Sequence, residues 1–128
     1  MPSLTTLQAF ADTVEANDHV GAILRFYAPD AATRENDNPP LCGRDALVEK
    51  ERQTLARVAS VKSTRLGPLL LDGDHAAIRW RFEFTSKDGV TRVMEEIAWQ
   101  TWRGEQLIEE QFFYDPGMLT KTVASTKG

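Results

Sequence analysis

Tyr27-Ala-Pro-Asp-Ala-Ala-Thr-Arg-Glu35-Asn-Asp-Asn-Pro-Pro-Leu-Cys-Gly43-Arg-Asp-Ala46 divides the chain into a helical first part and a later run of strands. Pro29 and Asp30 stop a helix, because the proline ring blocks the backbone bond that would extend it. Residues 31–36 then suit one extended pass. Asp37-Asn-Pro-Pro40 reads as a loop: its prolines donate nothing and bias the residue before them to extended geometry. Gly43-Arg-Asp-Ala46 opens a further helix. The extended pass carries Glu35 near its end, the acidic residue best placed for chemistry.

Upstream, residues 3–17 predict a helix, with Leu4, Leu7, Phe10, Ala11 and Val14 on one face and Ser3 as its cap. Asn17-Asp18 interrupts, and Asp18 caps a second short helix that runs to about Tyr27 and carries Val20, Ile23 and Leu24. Packed as a hairpin, the two helices bury both stripes. Downstream, residues 43–58 predict a third helix with a thin stripe of Leu47, Leu55 and Val58 beside Thr54. That stripe suits a cover lying on a sheet, more than half exposed.

The remainder reads as a meander. Asp72-Gly73, Lys87-Asp88-Gly89 and Arg103-Gly104 mark turns between candidate strands at 59–71, 75–86, 90–102 and 106–114. Gly67-Pro68 in the first suggests a bulge or an edge position. Connections this short make neighbours antiparallel. Alternation sorts the faces. Ile78, Trp80, Phe82 and Phe84 share one side of their strand, opposite Arg79, Arg81 and Glu83. On the next, Met94, Glu96, Ala98, Gln100 and Trp102 oppose Val93, Glu95, Ile97, Trp99 and Thr101. On the last, Ile108, Glu110, Phe112 and Tyr114 oppose Leu107, Glu109, Gln111 and Phe113. An apolar outer face predicts a partner there: a homodimer that buries Ile97, Trp99 and Phe113.

The 128 residues suit a single domain spanning 1–128, and with 41% apolar residues an ordinary core forms without disulfides. A net charge of −4 argues against nucleic acid, which needs a basic face. No basic tract marks a membrane surface, and no apolar run approaches the ~20 residues of a span. A single cysteine, Cys42, fits a reducing, cytoplasmic setting. His19 and His75 lie far apart and read as surface residues. With no Cys/His cluster and no glycine-rich phosphate loop, neither a metal nor an organic cofactor is expected.

Phe26-Tyr-Ala-Pro-Asp-Ala31, Gly43-Arg-Asp-Ala46, Met94-Glu-Glu-Ile-Ala-Trp-Gln-Thr-Trp102 and Glu110-Gln-Phe-Phe-Tyr-Asp-Pro116 together resemble the nuclear transport factor 2-like superfamily, and within it the SnoaL-like and ketosteroid-isomerase-like branch. The resemblance runs over nearly the whole chain. It implies an α+β fold, a cystatin-like cone in which a helical hairpin and a third helix pack on a strongly curved, mixed and mainly antiparallel sheet around a pocket. It also implies a proton-abstracting carboxylate at Glu35. The oxyanion-hole tyrosine of ketosteroid isomerases would fall near Phe10 and their protonated aspartate near Ala98, and neither residue donates a hydrogen bond.

These readings converge on Glu35 and Glu96 as candidate catalytic residues. Desolvation at a pocket mouth would make the first a usable base. Phe10, Val14, Trp80, Phe82, Met94, Ala98, Gln100, Glu110, Phe112 and Tyr114 are the candidate ligand-binding residues, with Glu96, Gln100 and Glu110 as a polar floor. The ligand expected is a small, mostly apolar carbonyl or a polyketide- or steroid-like compound. It meets cofactor-free acid/base chemistry of the isomerase, cyclase or dehydratase kind. The alternative is a non-catalytic ligand binder or a dimeric structural module with a vestigial pocket.

Overall fold

The computed structural model describes residues 1–120 and 122–123. Helix α1, Leu4–Glu15, starts where the Ser3 hydroxyl accepts the Thr6 N–H at 3.1 Å, and it buries Leu7, Phe10, Ala11 and Val14. Asn17 turns the chain with φ 67, and Asp18 caps α2, His19–Phe26, through the Gly21 N–H at 2.9 Å. Strand β1, Tyr27–Glu35, follows without a gap. Here the sequence reading is corrected: the helix ends at Phe26, while Pro29 and Asp30 lie exposed within the strand. The extended pass is therefore longer than residues 31–36. Short β2, Leu41–Cys42, pairs back on β1, and Gly43, with φ 96, leads into α3, Arg44–Ala56. That positive φ suits glycine because a side chain would crowd the backbone there.

Strands β3, Val58–Arg65, and β4, Leu70–Asp72, both pair with β5, His75–Ser86, so Gly67-Pro68 splits the predicted first strand in two. Strand β6, Thr91–Arg103, and β7, Gln106–Phe113, complete the meander; a 3₁₀ turn at Pro116–Thr120 and β8, Thr122–Val123, follow. Among the described residues eight strands form one curved sheet in the order β2-β1-β7-β6-β5-β3, with β4 on β5 and β8 on β6. All its ladders are antiparallel except β1 with β7, which are parallel. The fold is α+β as expected, with the three helices packed over one sheet face.

Two irregularities place the side chains that matter. Thr101 pairs with Glu109 but Trp102 with Leu107, so Ile108 is an extra residue in β7. The bulge reverses parity before it. Leu107, read from alternation as outward, is fully buried beside Trp102. β1 slips similarly between Tyr27 and Ala32. Alternation breaks there: Tyr27 and Ala28 are both buried and Pro29 and Asp30 both exposed, before Ala31 and Thr33 turn inward again. The core closes on Phe10, whose ring meets Phe26 and Trp102 edge-on at 5.6 and 5.9 Å.

Candidate functional site

A cavity of about 180 Å³ lies between the helices and the sheet. Helix α1 contributes Phe10 and Val14, α2 contributes Ala22 and Ile23, and α3 contributes Leu47. The sheet supplies Trp80, Phe82 and Phe84 from β5, Met94 from β6 and Phe112 from β7. Set into these apolar walls are Glu35, Glu51, Glu96 and Glu110, with Lys50, His19, Tyr27, Thr33 and Thr54. Thr33 and Glu35 face the same way because they lie two apart in β1.

Three of the four carboxyl groups have partners within the protein. Glu35 is partly exposed; its Oε1 accepts the Tyr114 hydroxyl at 3.1 Å and its Oε2 accepts Lys50 Nζ at 3.0 Å. Burial, then the Glu35 charge and the bond to it, push the Tyr114 phenol up to about 12, so it remains a donor. Glu110 is buried, and accepts the Tyr27 hydroxyl at Oε1 and Gln100 Nε2 at Oε2, the latter at 2.7 Å. Gln100 is held in turn, its Oε1 accepting the Trp102 indole N–H at 3.0 Å. Burial pushes Glu110 up to about 7, against the lowering effect of its bonds from Gln100 and Tyr27. Burial and then the Glu110 charge also raise the Tyr27 phenol well above its ordinary value. Glu51 lies 3.2 Å from His19 Nδ1, and the other ring nitrogen lies 2.7 Å from the Ser63 hydroxyl.

Glu96 differs from the other three. It is 5% exposed, and its Oε2 is buried with no hydrogen-bond partner. An unpartnered buried carboxylate is costly, so the group keeps its proton. Burial, then the charges of Glu110, Glu35 and Glu51, hold it well above the usual carboxylate range. Burial and the neighbouring carboxyl groups thus favour the protonated form of Glu96, which lines the cavity and in that form is a hydrogen-bond donor.

Of the residues selected from sequence, Glu35, Glu96, Phe10, Val14, Trp80, Phe82, Met94, Glu110 and Phe112 line this one cavity. Ala98 and Gln100 do not: both are fully buried behind the wall, where Gln100 supports Glu110. Tyr114 is outside the lining and reaches the cavity through Glu35. His19, read as a surface residue, is instead part of the wall, its side chain 11% exposed and its ring edge-on to Phe82 at 5.4 Å. Tyr27, Lys50 and Glu51 were not anticipated. A signal for two of them existed: Leu47, Lys50, Glu51 and Thr54 stand at helical spacing on one face of α3, and all four line the cavity. Among the described residues no group of three or more His, Cys, Asp or Glu is arranged to hold a metal ion, and no helix is long and apolar enough to cross a membrane.

Residues 7–110 match the family model of a SnoaL-like domain. A Mesorhizobium loti protein named for its likeness to SnoaL polyketide cyclases is 27% identical, with TM-score 0.72 over 86% of this chain and 97% of that one. A Catenulispora acidiphila protein of ketosteroid isomerase-like fold, solved with trimethylamine, is 18% identical, with TM-score 0.75 over 91% of this chain and 90% of that one. An epoxide hydrolase-like protein of M. tuberculosis is 9% identical, with TM-score 0.74 over 91% of this chain and 85% of that one. No protein of curated function matches the sequence.

Proposed function

The chain belongs to the SnoaL-like domain family, and from that premise we propose that it binds a small, mostly apolar carbonyl compound and catalyses proton transfer on it without a cofactor. The observation that carries this reading is the contrast between two carboxyl groups in one cavity. Glu35 accepts two hydrogen bonds at a partly exposed position, while Glu96 is buried with an unpartnered oxygen, an environment that favours its protonated form. Two acids in unlike environments divide the base and acid roles. Glu35 removes a proton from the carbon beside the carbonyl, and the Glu96 O–H donates to the oxygen on which charge develops. Phe10 and Ala98 offer no donor where ketosteroid isomerases would place theirs. Glu96, two residues before Ala98 on the same strand face, supplies one.

The test is exchange in D₂O. Small cyclic ketones incubated with the protein should lose the NMR signal of the hydrogens beside the carbonyl, faster than in buffer. Ketones that bind without accelerated exchange would favour the second reading, a ligand-binding module, which the same cavity also serves.

The outer sheet face supports a homodimer. Ile97 and Phe113 are directly opposite across β6 and β7, Trp99 is the next residue on that side of β6, and the three are 47%, 46% and 47% exposed. Arg79 and Arg81 flank them, both paired with Glu95, so the rim carries both charge signs, as a contact between two identical faces requires. Light scattering should report twice the 14.4 kDa chain mass at micromolar concentration, and Trp99→Glu should return the monomer. A wild-type particle of monomer mass would discard the dimer. Cys42 is a free, exposed thiol, which suits the cytoplasm.

A further inference from the structure

Resting on that reading of the cavity, we propose that it selects an uncharged oxygen compound about the size of one six-membered ring with short substituents, held by a single hydrogen bond from Glu96, and rejects the carboxylate of the same skeleton. Size comes first. The cavity holds about 180 Å³. An apolar protein cavity of ~150 Å³ accommodates benzene, whereas drug-sized ligands occupy ~300–1,000 Å³. That volume matches one ring with short substituents, and a fused tetracycle would have to protrude from the mouth of the cavity. This narrows the ligand to the compact end of the compounds such folds are expected to hold.

Polar demand comes second. Glu35 is satisfied by Lys50 and Tyr114, Glu110 by Tyr27 and Gln100, and Glu51 by His19. Among the described residues Glu96 alone has a buried side-chain oxygen without a partner, and it is 5% exposed. A ligand that fills the cavity therefore needs one polar atom, at Glu96, and apolar surface elsewhere. A protonated carboxyl group donates, so that atom is an acceptor such as a ketone, aldehyde or ether oxygen.

Charge comes third. Lys50 in the wall already faces Glu35, and the His19 ring lies against Glu51. Among the described residues an anionic ligand finds no unpaired lysine or arginine in the wall, and it meets Glu35 and Glu51 in a poorly screened space.

Ligand-observed NMR at pH 7 tests this with three probes: cyclohexenone, cyclohexene carboxylate and a tetracyclic steroid enone. Cyclohexenone should bind, the carboxylate should bind at least about tenfold more weakly, and the tetracycle should not bind. Glu96→Leu should weaken cyclohexenone about tenfold, while Glu96→Gln, whose amide still donates, should stay within about threefold. Circular dichroism establishes that each variant is folded; if Glu96→Leu is not, the wild-type series decides alone. Failure of cyclohexenone to bind, equal binding of the carboxylate, tight binding of the tetracycle, or full affinity in folded Glu96→Leu would each overturn the proposal. All these readouts are of binding. They stand whether or not D₂O exchange occurs, so failure of the catalytic reading is seen separately.

Discussion

Glu35→Gln should lower kcat for proton exchange by about a hundredfold to ten-thousandfold, or ~3–5 kcal/mol of barrier, while the affinity for the ligand changes by ~1 kcal/mol or less. Glutamine keeps the shape and still accepts the Tyr114 hydroxyl, but the basic oxygen is gone. The amide N–H₂ would face Lys50 Nζ, a donor against a donor, so the contact at 3.0 Å is lost. That pair is partly exposed, its side chains 48% and 36% accessible, and its loss should cost at most ~1 kcal/mol of stability. The measurement is kcat and Kd for wild type and variant on the ketone that exchanges fastest. An unchanged kcat would remove Glu35 from the mechanism. Glu96 is the poorer substitute as base, because burial and the neighbouring carboxylates favour its protonated form. The role would pass to Glu51, the carboxylate that faces the cavity beside His19.

The second large effect is on stability, and its direction is unusual. The folded protein should become less stable to urea as pH rises from about 5 to 8. In the unfolded chain Glu110 releases its proton near the ordinary value of 4.5; in the folded state it holds the proton up to about 7. Between those values the folded state binds more protons, so stability is full below the unfolded value and is lost as pH climbs through the folded one. For Glu110 alone this amounts to about 3 kcal/mol, at ~1.4 kcal/mol per pH unit of difference. Glu96 acts in the same direction. The exposed carboxylates of Asp30, Asp74, Asp88 and Glu105 are shifted downward, so they act oppositely and only at lower pH. Stability should therefore peak near pH 5. Glu96→Gln should flatten the decline toward high pH, because the amide has no proton to lose. A urea midpoint that stays level or rises between pH 5 and 8 would contradict the assignment of buried, protonated acids.

Much of this architecture is written in local pattern. Ser3, Asp18 and Gly43 stand at the three helix starts, and the alternation of Ile78, Trp80 and Phe82 or Met94, Glu96 and Ala98 sorts the faces of β5 and β6 correctly. Strand parity, together with the position that the family resemblance implies for Glu35, brings Glu35 and Glu96 to one cavity. Parity fails at Leu107, because a bulge is one added residue and leaves no mark in composition. The polar face of α3 was legible as spacing but not as direction: Thr54 stands beside the inward stripe, while Lys50 and Glu51 read as solvated because polar residues usually are. They face inward because α3 covers a cavity instead of a filled core. His19 meets Glu51 and Ser63 only through the tertiary fold. The isolation of Glu96 is hardest of all to foresee, since it consists of contacts that are not made.

The parallel pairing of β1 with β7 also bears on how the molecule comes into being. Tyr27 lies against Leu107 and Glu35 against Phe112, so a strand made early is seated by one made almost last. Loop closure over such a distance is entropically slow, and contacts remote in sequence lengthen the search for the native topology. During synthesis the α1–α2 hairpin and the β5–β6 hairpin can form from neighbours alone. The wall that presents Glu35 and Glu110 cannot be complete until residue 112 has left the ribosome. The chain thus acquires helices and most of its meander well before it acquires a place for a ligand, and until then the edge of β6 that receives β7 is open to foreign strands.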